Sequence, residues 1–440
     1  MRTDVQRTTQ SRTEPDREGQ LSLDSPRPAA DRGTTEPLRG VRVIDMTTSY
    51  AGPTATMYLA DLGAEVVKVE RPGGDDARQW GPPFDGERSA WFFSANRGKR
   101  SVTIDLRTPA GRDALRVLLE GADVFVVNVN PSKLARLGLD PETLRAQYPR
   151  LICCVISGFG IAGPDAGHAG YDLVAQARSG LMSVTGSKGG RPQRVSTALT
   201  DIATGMNAAL GICAAVVRQQ STGEGTIVEA SLLDSALALM APRIASYLAG
   251  EPEPAPSGGT DSVLAVYQSF HTKDRDIVVA IGNDRLWKRF CELIGRPDLG
   301  GDERYADNAR RRTHRAEIVD AIQAALAHRS ADAWLSIFAS QGIPCSLVQY
   351  LSEVVEDAQV KDRQSIVQLG DSGKLTGVRT PVRVGAATVA GLGVPELGAD
   401  VQPVFAGLGL TPDQISQLHA DGAFGPPVDV PSSTKERRSE

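Results

Sequence analysis

Two observations predict an α/β protein with a mostly parallel sheet and a second, smaller α+β domain. From Val41 onward, short runs rich in β-branched residues alternate with helical segments, the pattern of parallel strands joined by helices. The Pro-, Gly- and Ser-rich stretch EPEPAPSGGTDS then separates this half from a region with a strand-like pair and two amphipathic helices. A chain of 440 residues is long enough for two such domains.

The alternation in the first half can be followed segment by segment. Strands are predicted at VRVIDM, AEVVKVE, SVTIDL, ADVFVVNV and LICCVISGF. Helices are predicted at TPAGRDALRVLLEGA and at PTATMYLADLG, which is opened by Pro53. Ligands bind parallel sheets of this kind at the carboxyl ends of the strands. We therefore expect the functional residues in the loops that follow these strands.

The middle of the chain is predicted to be helical, at ALTDIATGMNAALGICAAVVRQQ and SLLDSALALMAPRIASYLAG. Small and polar residues interrupt the apolar run from Ile202 to Val217, so a buried helix explains it better than a membrane span of about 20 apolar residues.

The smaller domain is predicted to have strands AVYQSFHT and DIVVAIG and helices RLWKRFCELIG and THRAEIVDAIQAALAHR. Near the C-terminus, KLTGVRTPVRV alternates with a period of two, as strands do. The segment TPDQISQLHADG is typical of a helix with Thr411 as its N-cap.

Composition and charge exclude several classes of protein. Apolar residues make up 41% of the chain and charged residues 23%, which are ordinary values for a globular protein. The net charge of −5 argues against a nucleic-acid-binding protein. The first 37 residues lack the apolar segment of a signal peptide, and their charged, Pro-rich composition predicts disorder. Five cysteines without CxxC spacing predict buried thiols in a reducing cytoplasm: Cys153, Cys154, Cys213, Cys291 and Cys345.

The P-loop and the common metal-binding motifs are missing from the sequence. It contains no GxxxxGK[ST], and its GxGxxG, GFGIAG at residues 158–163, does not open directly into a helix as a dinucleotide-binding motif does. None of the five histidines has the HxxxH or HExxH spacing of a metal site. We therefore predict no metal ligands.

Two basic groupings near strand ends suit a ligand with several phosphate oxygens. Arginine stays charged and binds phosphate through two parallel hydrogen bonds. The alternative is that these residues are surface charges paired with Glu70, Asp75 and Asp105, and surface charges are the more common case. The groupings are Arg71 and Arg78 in KVERPGGDDAR, and Arg97, Lys99, Arg100 and Arg107 in NRGKRSVTIDLR.

Asp172 is the candidate with the clearest chemistry. The loop GFGIAGPDAGHAG is rich in glycine, which lets backbone approach a ligand, and YDLVAQARSGLM then places Asp172 in the first turn of a helix. The helix dipole and free N–H groups there favour an ionised carboxylate, the form that acts as a nucleophile. Aspartate is also common in first turns purely as a cap, and the residues alone leave both roles open.

Several long segments together resemble the class III CoA-transferases, a family that includes formyl-CoA and carnitine-type CoA-transferases and is related to the α-methylacyl-CoA racemases. The resemblance runs in order over residues 38 to 424. It is carried by RVIDMTTSYAGPTATMYLADLGAEVVKVERPGGDDAR, NRGKRSVTIDLRTPAGRDAL, SGFGIAGPDAGHAGYDLVAQARSGLMSVTG, GEGTIVEASLLDSALAL and AIGNDRLWKRFCELIGRPDL.

The resemblance implies an interlocked homodimer whose subunits have a Rossmann-like large domain, formed from both ends of the chain, and a smaller inserted domain. It also implies that the aspartate of GYDxxxQA, here Asp172, attacks an acyl-CoA thioester and forms a mixed anhydride and then an aspartyl-CoA thioester. CoA is then a substrate, a small carboxylic acid is the acceptor, and no tightly bound cofactor is required.

The domain boundaries expected from this comparison divide the chain into six parts. Two disordered ends, 1–37 and 425–440, flank a CoA-binding part at 38–235, a linker with a Gly-rich segment at 236–260, a small α+β domain at 261–350, and a return to the large domain at 351–424.

The resemblance also implies a set of contacts to CoA. One position departs from the family pattern, because relatives usually have ENFRPG where this chain has VNVNPS, so that Val129, Asn130 and Ser132 replace an aromatic, a basic and a glycine residue. This departure affects the contact expected at Val129 most. The implied contacts are Ser49, Tyr50, Arg71, Ile104, Arg107, Asn128, Val129 and Arg136.

Two further features keep alternatives open. The segment Gly258 to Thr260 falls where related transferases often have a mobile glycine-rich loop over the active site, but a plain domain linker has the same composition. Racemases need two acid–base groups. Asp201 aligns with one of them, whereas Tyr171 stands in place of the racemase histidine and His168 is read as a loop residue, so CoA transfer is favoured. Binding of acyl-CoA without turnover is a third hypothesis.

Overall fold

A six-stranded parallel sheet organises the first half of the chain, in a computed structural model that describes residues 36–86, 88–129, 131–369, 375–385 and 393–426. Apart from two residues at each end, the segments predicted to be disordered, 1–37 and 425–440, lie outside the described residues. The strands of this half are β1 Arg42–Met46, β2 Glu65–Glu70, β3 Phe84–Asp85, β4 Arg88–Ser89, β5 Lys99–Thr103, β6 Val124–Val127, β7 Ile152–Ser157 and β8 Ile227–Ser231.

The order of strands across the sheet is β5-β2-β1-β6-β7-β8, with every neighbouring pair parallel. Ile44 of β1 is in register with Val67 on one side and with Phe125 on the other. The chain runs outward from β1 to β5 and then resumes on the other side of β1, which is the Rossmann strand order. The predicted α/β class with a parallel sheet is confirmed, and the order reverses between β1 and β6.

Helices cover both faces of this sheet. Their bounds are α1 Ala51–Asp61, α2 Ala90–Asn96, α3 Pro109–Glu120, α4 Pro131–Leu137, α5 Pro141–Gln147, α6 Asp172–Arg178, α7 Leu181–Val184, α8 Leu199–Thr222, α9 Leu232–Leu239 and α10 Ala241–Leu248. A short 3-10 helix, Asp76–Gln79, follows β2. The helix α1 begins two residues before Pro53, which the sequence had placed at its start, because proline is tolerated anywhere in a first turn.

Alternate residues of each strand enter two separate hydrophobic cores. On β1, Val43 packs in the core that contains α1 and α8, whereas Ile44 packs in the core that contains α3. Because both faces are covered, the strands are almost continuously apolar, as VFVV of β6 illustrates.

The helix α8 packs lengthwise on α1 at very short range. A Cβ added at Gly205 would come within 2.9 Å of the backbone oxygen of Ala51, so this glycine permits the close contact. By length and composition alone α8 could span a membrane, the one such helix among the described residues, and 44% of its apolar window is buried within the fold. The expectation that the run from Ile202 to Val217 forms a buried helix is met in part: Ile212 and Val216 belong to the core that contains α1, whereas Leu210 and Val217 are exposed.

The second half begins with the two predicted strands, β9 Tyr267–His271 and β10 Asp276–Ala280, and they pair antiparallel. The helices α11 Asp284–Leu293, α12 Pro297–Gly301, α13 Asn308–Thr313, α14 Arg315–Leu326 and α15 Ala331–Ser340 follow, with a 3-10 helix at Glu303–Tyr305. A third strand, β11 Cys345–Leu347, pairs with β10; its three residues are too few to show an alternating pattern in the sequence. A separate core centred on Trp287, Phe290 and Phe338 holds these elements together.

The C-terminal region returns to the first sheet. After α16 Leu351–Val354, α17 Ala358–Asp362 and the antiparallel pair β12 Ile366–Leu369 and β13 Leu375–Val378, the helices α18 Val401–Gly407 and α19 Pro412–Ala420 complete the chain. Val404, Phe405 and Ile415 pack in the same core as Ile44. Thr411 caps α19 as predicted, since its hydroxyl accepts a bond from the N–H of Gln414 at 3.3 Å. The described residues, which begin at Glu36, form one compact unit, so the boundaries proposed within it remain predictions.

All five cysteines are free thiols. Cys153, Cys154 and Cys291 are buried and the other two are partly buried, in agreement with the sequence pattern. Burial raises the pKa of each of these three buried thiols to about 12.

We predict that Phe405→Ala lowers the free energy of unfolding by about 3–5 kcal/mol, because this fully buried ring fills the core between α18 and the sheet. Urea denaturation followed by circular dichroism measures the change. Gln402→Ala, on the exposed face of the same helix, is the control and should shift stability by less than about 0.5 kcal/mol. Equal stability of the two variants would contradict the packing of α18 described here.

Candidate active site

The reversal of strand order between β1 and β6 creates a crevice, and a pair of hydrogen bonds fixes its floor. The side chain of Asn128 accepts a bond from the N–H of Thr48 at 3.0 Å and donates one to the carbonyl of Thr48 at 2.8 Å. The loop that leaves β1 is therefore tied to the end of β6. The amide of Asn128, which the sequence predicted as a CoA contact, is already used to position backbone.

Buried ion pairs support the same loop from below. Lys68 bonds to the carbonyl of Thr47 and to the carboxylate of Asp75, both at 2.9 Å, and Asp75 accepts the N–H of Ser49 at 3.1 Å. Ser49 has a left-handed backbone, with a φ of 69°, which is uncommon outside glycine. The pair of Lys68 and Asp75 thus holds an unfavourable backbone conformation in place.

A second buried pair joins β5 to β1. Lys99 bonds to the carboxylate of Asp45 at 3.0 Å, and both side chains are inaccessible to solvent. Burial alone would raise the pKa of Asp45, but the charges of Lys99 and Lys68 and hydrogen bonds from threonines lower that pKa from 3.8 to about 2. Burial lowers the pKa of Lys99 to about 8.

These pairs correct part of the sequence-based interpretation of the basic groupings. Lys99 and Arg97 are buried, and Arg97 bonds to Asp61 with its Nε at 3.1 Å from the carboxylate, so neither can touch a ligand in the crevice. Arg78 bonds to Glu70 and lies 3.8 Å from the centre of the Phe92 ring. Arg78 is thus the ion-pair partner of Glu70 that the alternative named. Arg97 and Lys99 are neither surface charges nor partners of the acidic residues it named, because they pair with Asp61 and Asp45 in the interior.

A cavity of about 810 Å³ opens at the carboxyl ends of β1, β2 and β5. Four basic side chains line it, and two of these, Arg71 and Arg107, are largely exposed and paired with Asp76 and Asp105 respectively. The basic residues are Arg71, Arg107, Arg112 and Lys133, and the lining also includes Thr48, Ile104, Val129 and Leu137. An elongated ligand with phosphate groups fits this mixture of cations and apolar wall.

The residues predicted to contact CoA divide into three sets. Arg71, Ile104, Arg107 and Val129 line the 810 Å³ cavity, while Ser49 and Asn128 line a smaller neighbouring one. Tyr50 and Arg136 line neither of the two cavities: the Tyr50 hydroxyl lies 3.0 Å from that of Ser94, and Arg136 is exposed at the end of α4.

Two lining residues, Arg112 and Lys133, were not anticipated from the sequence. Lys133 lies one helical turn before Arg136, so a helical reading of PSKLARL would have offered it as an alternative. In the unusual segment VNVNPS, Val129 lines both cavities, Ser132 is exposed, and Asn130 lies outside the described residues.

The smaller cavity has a volume of about 280 Å³ and shares Thr48 and Val129 with the larger one. Its wall is formed by the end of β7, the glycine-rich loop that follows it, and the start of α8. The side chains of Trp80, His168, Tyr171 and Asp201 line it. The two cavities are thus adjacent: the larger is lined by four basic and four acidic residues, and the smaller lies next to the loop that precedes α6.

Asp172 is the first residue of α6, as predicted, and its carboxylate points to the N-terminus of a different helix. Oδ1 accepts hydrogen bonds from the N–H of Thr200 at 2.8 Å, from the Thr200 hydroxyl at 2.7 Å and from the N–H of Asp201 at 3.4 Å. Oδ2 accepts a bond from Nε2 of Gln176 at 2.6 Å.

This geometry makes Asp172 the cap of α8. The residue that precedes α8, Ala198, has no side-chain oxygen to accept the first N–H groups of the helix, and Asp172 accepts two of them instead. A carboxylate held by a helix N-terminus beside a cavity can cap and also attack an electrophile. Capping a helix and acting as a nucleophile, the two roles that the sequence left open for Asp172, are therefore compatible.

Asp201 lies in the first turn of α8, as expected, and its carboxyl group faces the small cavity. Burial and the negative charge of Asp172 raise the pKa of Asp201 from 3.8 to about 7. Neighbouring carboxylates with such different environments can act as a base and an acid.

The glycine-rich segment Gly258 to Thr260 lies against another glycine-rich loop. The N–H of Gly258 donates to the carbonyl of Gly186 at 3.0 Å, and a Cβ at Gly258 would come within 3.1 Å of the Lys188 nitrogen. The loop that contains Gly186 continues to Val195, whose N–H donates to Oε1 of Gln176 at 2.9 Å. The segment is therefore connected to the Asp172 site through Gln176, and its role as a lid remains a prediction.

The sequence model of CoA-transferase family III matches residues 38–401 of the chain. A mouse protein named succinyl-CoA:glutarate CoA-transferase is 40% identical over 78% of this chain and 79% of its own. A protein of Agrobacterium fabrum named succinate–glutarate CoA-transferase is 39% identical over 79% of this chain and 89% of its own. The crystal structure of a CaiB/BaiF family protein from Brucella suis superimposes with a TM-score of 0.74 at 35% identity, covering 85% of this chain and 100% of that one.

We predict that Asp201→Asn removes a pH dependence of stability. The folded protein retains the Asp201 proton up to a pKa of about 7, whereas the unfolded chain releases it near 3.8, so this group stabilises the fold less as pH rises through that interval. The melting temperature of the Asn variant relative to wild type should therefore increase between about pH 5 and about pH 8. Parallel melting curves across this range would contradict the raised pKa.

Proposed function

The chain belongs to CoA-transferase family III and is a class III CoA-transferase, and we propose that it moves CoA from an acyl-CoA donor to a carboxylic acid acceptor through covalent intermediates on Asp172. Asp172 attacks the donor thioester and forms a mixed anhydride and CoA thiolate. The thiolate attacks the aspartyl carbonyl, which gives an aspartyl-CoA thioester and releases the donor acid. The acceptor carboxylate then repeats these steps in reverse.

The observation that carries this proposal is the position of the Asp172 carboxylate. Three hydrogen bonds at the N-terminus of α8 fix it next to Tyr171 and Asp201. These two residues, though not Asp172 itself, line the small cavity at the crevice where β1 and β6 diverge. In open α/β sheets this crevice is the usual ligand site. A positioned carboxylate that needs no further reorientation has a lower barrier to attack.

The two adjacent cavities can bind the CoA part and the acyl part of an acyl-CoA separately. The 810 Å³ cavity, with Arg71, Arg107, Arg112 and Lys133, takes the phosphates of CoA. The thioester passes Thr48 and Val129, which line both cavities, and the acyl group enters the 280 Å³ cavity. CoA is a substrate here, and its own sulfur supplies the chemistry without a tightly bound cofactor.

We propose short dicarboxylic acids as the donor and acceptor. The mouse and Agrobacterium relatives, both near 40% identity, are named for succinate and glutarate. His168 lines the small cavity with its Nδ1 3.0 Å from Asp165.

An α-methylacyl-CoA racemase is the second candidate, and Asp201 is the observation that favours it. Its carboxyl group lines the small cavity with a pKa of about 7, suited to proton transfer. Racemisation needs a second acid–base group, and Tyr171 stands in the position of the racemase histidine. Incorporation of deuterium from heavy water into a 2-methylacyl-CoA would support this candidate over CoA transfer.

We propose that the protein is a homodimer in the cytoplasm, without nucleic-acid or membrane partners. Large apolar side chains on four neighbouring helices are exposed to an extent that monomeric proteins rarely show. Leu210 and Val217 on α8 are 70% and 67% exposed and Leu248 on α10 is 77% exposed. Leu173 and Val174 on α6 and Leu239 on α9 belong to the same exposed set. An interlocked dimer would bury them.

We predict that wild-type protein mixed with succinyl-CoA forms a covalent adduct that hydroxylamine removes, and that Asp172→Ala forms none. The Ala variant should also lose CoA transfer by about 10⁴-fold or more, because the nucleophile is missing. Intact-protein mass spectrometry detects the adduct, and Asp298→Ala, an exposed aspartate in the second half, is the control.

Adduct formation by the Asp172→Ala variant would refute the nucleophile. Acyl-CoA affinity without turnover in the wild type would instead support the hypothesis of a non-catalytic acyl-CoA-binding protein.

We predict that light scattering gives wild-type protein twice the chain mass of 46.7 kDa. Leu210→Asp should shift the mass toward the monomer, because a charge on the exposed face of α8 opposes burial. Leu351→Asp, at a leucine of α16 that is 83% exposed, should leave the mass unchanged. A monomeric mass for the wild-type protein would refute the proposed dimer.

A further inference from the structure

The two oxygens of the Asp172 carboxylate have unequal partners. Oδ1 receives three donors, from the N–H and hydroxyl of Thr200 and from the N–H of Asp201, whereas Oδ2 receives one, from Gln176. The Thr200 and Gln176 side chains are completely buried, so neither can turn toward water. Gln176 is itself held, since its Oε1 accepts the N–H of Val195 at 2.9 Å.

Unequal hydrogen bonding gives the two oxygens different reactivity. The lone pairs of Oδ1 are engaged by three donors, and an oxygen so engaged is a weak nucleophile. Oδ2 keeps more of its charge available. The donors on Oδ1 are also placed for the later stage of the reaction, in which a carbonyl oxygen becomes an oxyanion and needs fixed donors at about 2.7–3.1 Å.

We propose, on the basis of the proposed transfer through Asp172, that Thr200 and Gln176 assign permanent roles to these oxygens. Oδ2 attacks the thioester and is replaced in every turnover. Oδ1 remains the carbonyl oxygen of both aspartyl intermediates and is never lost. Thr200 then acts as a catalytic residue, because its donors bind the oxyanion that forms on Oδ1, and Gln176 orients the attacking oxygen.

The bonds made and broken follow from this assignment. Oδ2 forms a bond to the donor carbonyl carbon, and the C–S bond breaks with its electron pair leaving on CoA thiolate. The thiolate then adds to Cγ of Asp172, the carbonyl electron pair moves to Oδ1, and its return expels the donor acid, which carries Oδ2 away.

The acceptor carboxylate adds to the same Cγ and expels CoA thiolate, again through an oxyanion on Oδ1. The thiolate finally attacks the acceptor carbonyl and releases the Asp172 carboxylate, in which one oxygen now comes from the acceptor. No proton is gained or lost over the cycle.

Exchange of the two oxygens would require the carboxylate to rotate about the Cβ–Cγ bond. Such a rotation breaks every bond from Thr200, Asp201 and Gln176 at once, because all four donors belong to buried groups or to the first turn of α8. The burial of Asp201, which favours its neutral form, also leaves no second full charge to repel the carboxylate from this position.

An isotope experiment on wild-type protein tests this proposal. The acceptor acid is supplied in excess with the heavy oxygen isotope at both positions of its carboxylate, many turnovers are allowed, and the acid-quenched protein is digested. Mass spectrometry of the unmodified peptide that contains Asp172 should show one heavy oxygen and no more. Two heavy oxygens would overturn the fixed assignment, and none would overturn the covalent route through Asp172 itself.

Three variants test the residues. Thr200→Val keeps the shape but removes the hydroxyl donor, so a second heavy oxygen should enter and transfer should slow by about 10²-fold. Thr200→Ser retains the hydroxyl and should restore the single label. Thr204→Val makes the same chemical change at a buried threonine whose hydroxyl bonds to the Thr200 carbonyl at 2.6 Å, and it should behave as wild type.

A Thr200→Val variant with a single label and the wild-type rate would show that the hydroxyl has no such role. Loss of the wild-type behaviour in Thr204→Val would show that any disturbance of the first turns of α8 has the same effect, and would overturn the specific assignment to Thr200.

Discussion

Two buried ion pairs, Lys68 with Asp75 and Lys99 with Asp45, are the constraint on which the crevice depends. The sheet is covered on both faces, so charged side chains buried against it cannot be hydrated and must be paired. These pairs join β1, β2 and β5 and fix the loop from Thr47 to Ser49. Removal of one partner from such a pair costs about 3–5 kcal/mol, and here it would also release the loop that lines both cavities.

In the candidate site, too, a charged side chain is held by fixed partners, which here are the N–H groups of a helix. Asp172 satisfies the first N–H groups of α8, which Ala198 cannot do, and α8 in turn packs on α1 across Gly205. The carboxylate that we propose as the nucleophile therefore has a structural function in the resting protein. A capping side chain must be held in one conformation. A nucleophile also reacts faster when it is already held in the orientation for attack.

Much of the fold could be predicted from the sequence, because helices and strands are determined largely by the residue pattern within each segment. The β-branched runs and the helical segments between them predicted the parallel sheet, and TPDQ predicted the cap at Thr411. The cavity residues Arg71 and Ile104 could be named from the resemblance to class III CoA-transferases, and both directly follow strands of the sheet.

The rest depends on contacts between distant segments, which a single sequence does not display. Thr200 bonds to Asp172 across 28 positions, and no pattern in ALTDIATG predicts it. Gln176 could have been inferred, since a residue four positions after Asp172 shares its helix face. Arg97 and Lys99 were indistinguishable from surface cations until their burial was known.

The burial of the cysteines has a consequence for the transfer that we propose, in which CoA thioesters react and CoA leaves as a thiolate. Any reactive thiol of the protein could capture the acyl group by exchange with the substrate, since the thiolate is the reactive form. Burial raises the pKa of all five cysteines, and of Cys153, Cys154 and Cys291 to about 12. Two of these three thiols lie in β7, the strand that leads to the small cavity. The core thus keeps the protein's own sulfur from competing with CoA for the acyl group.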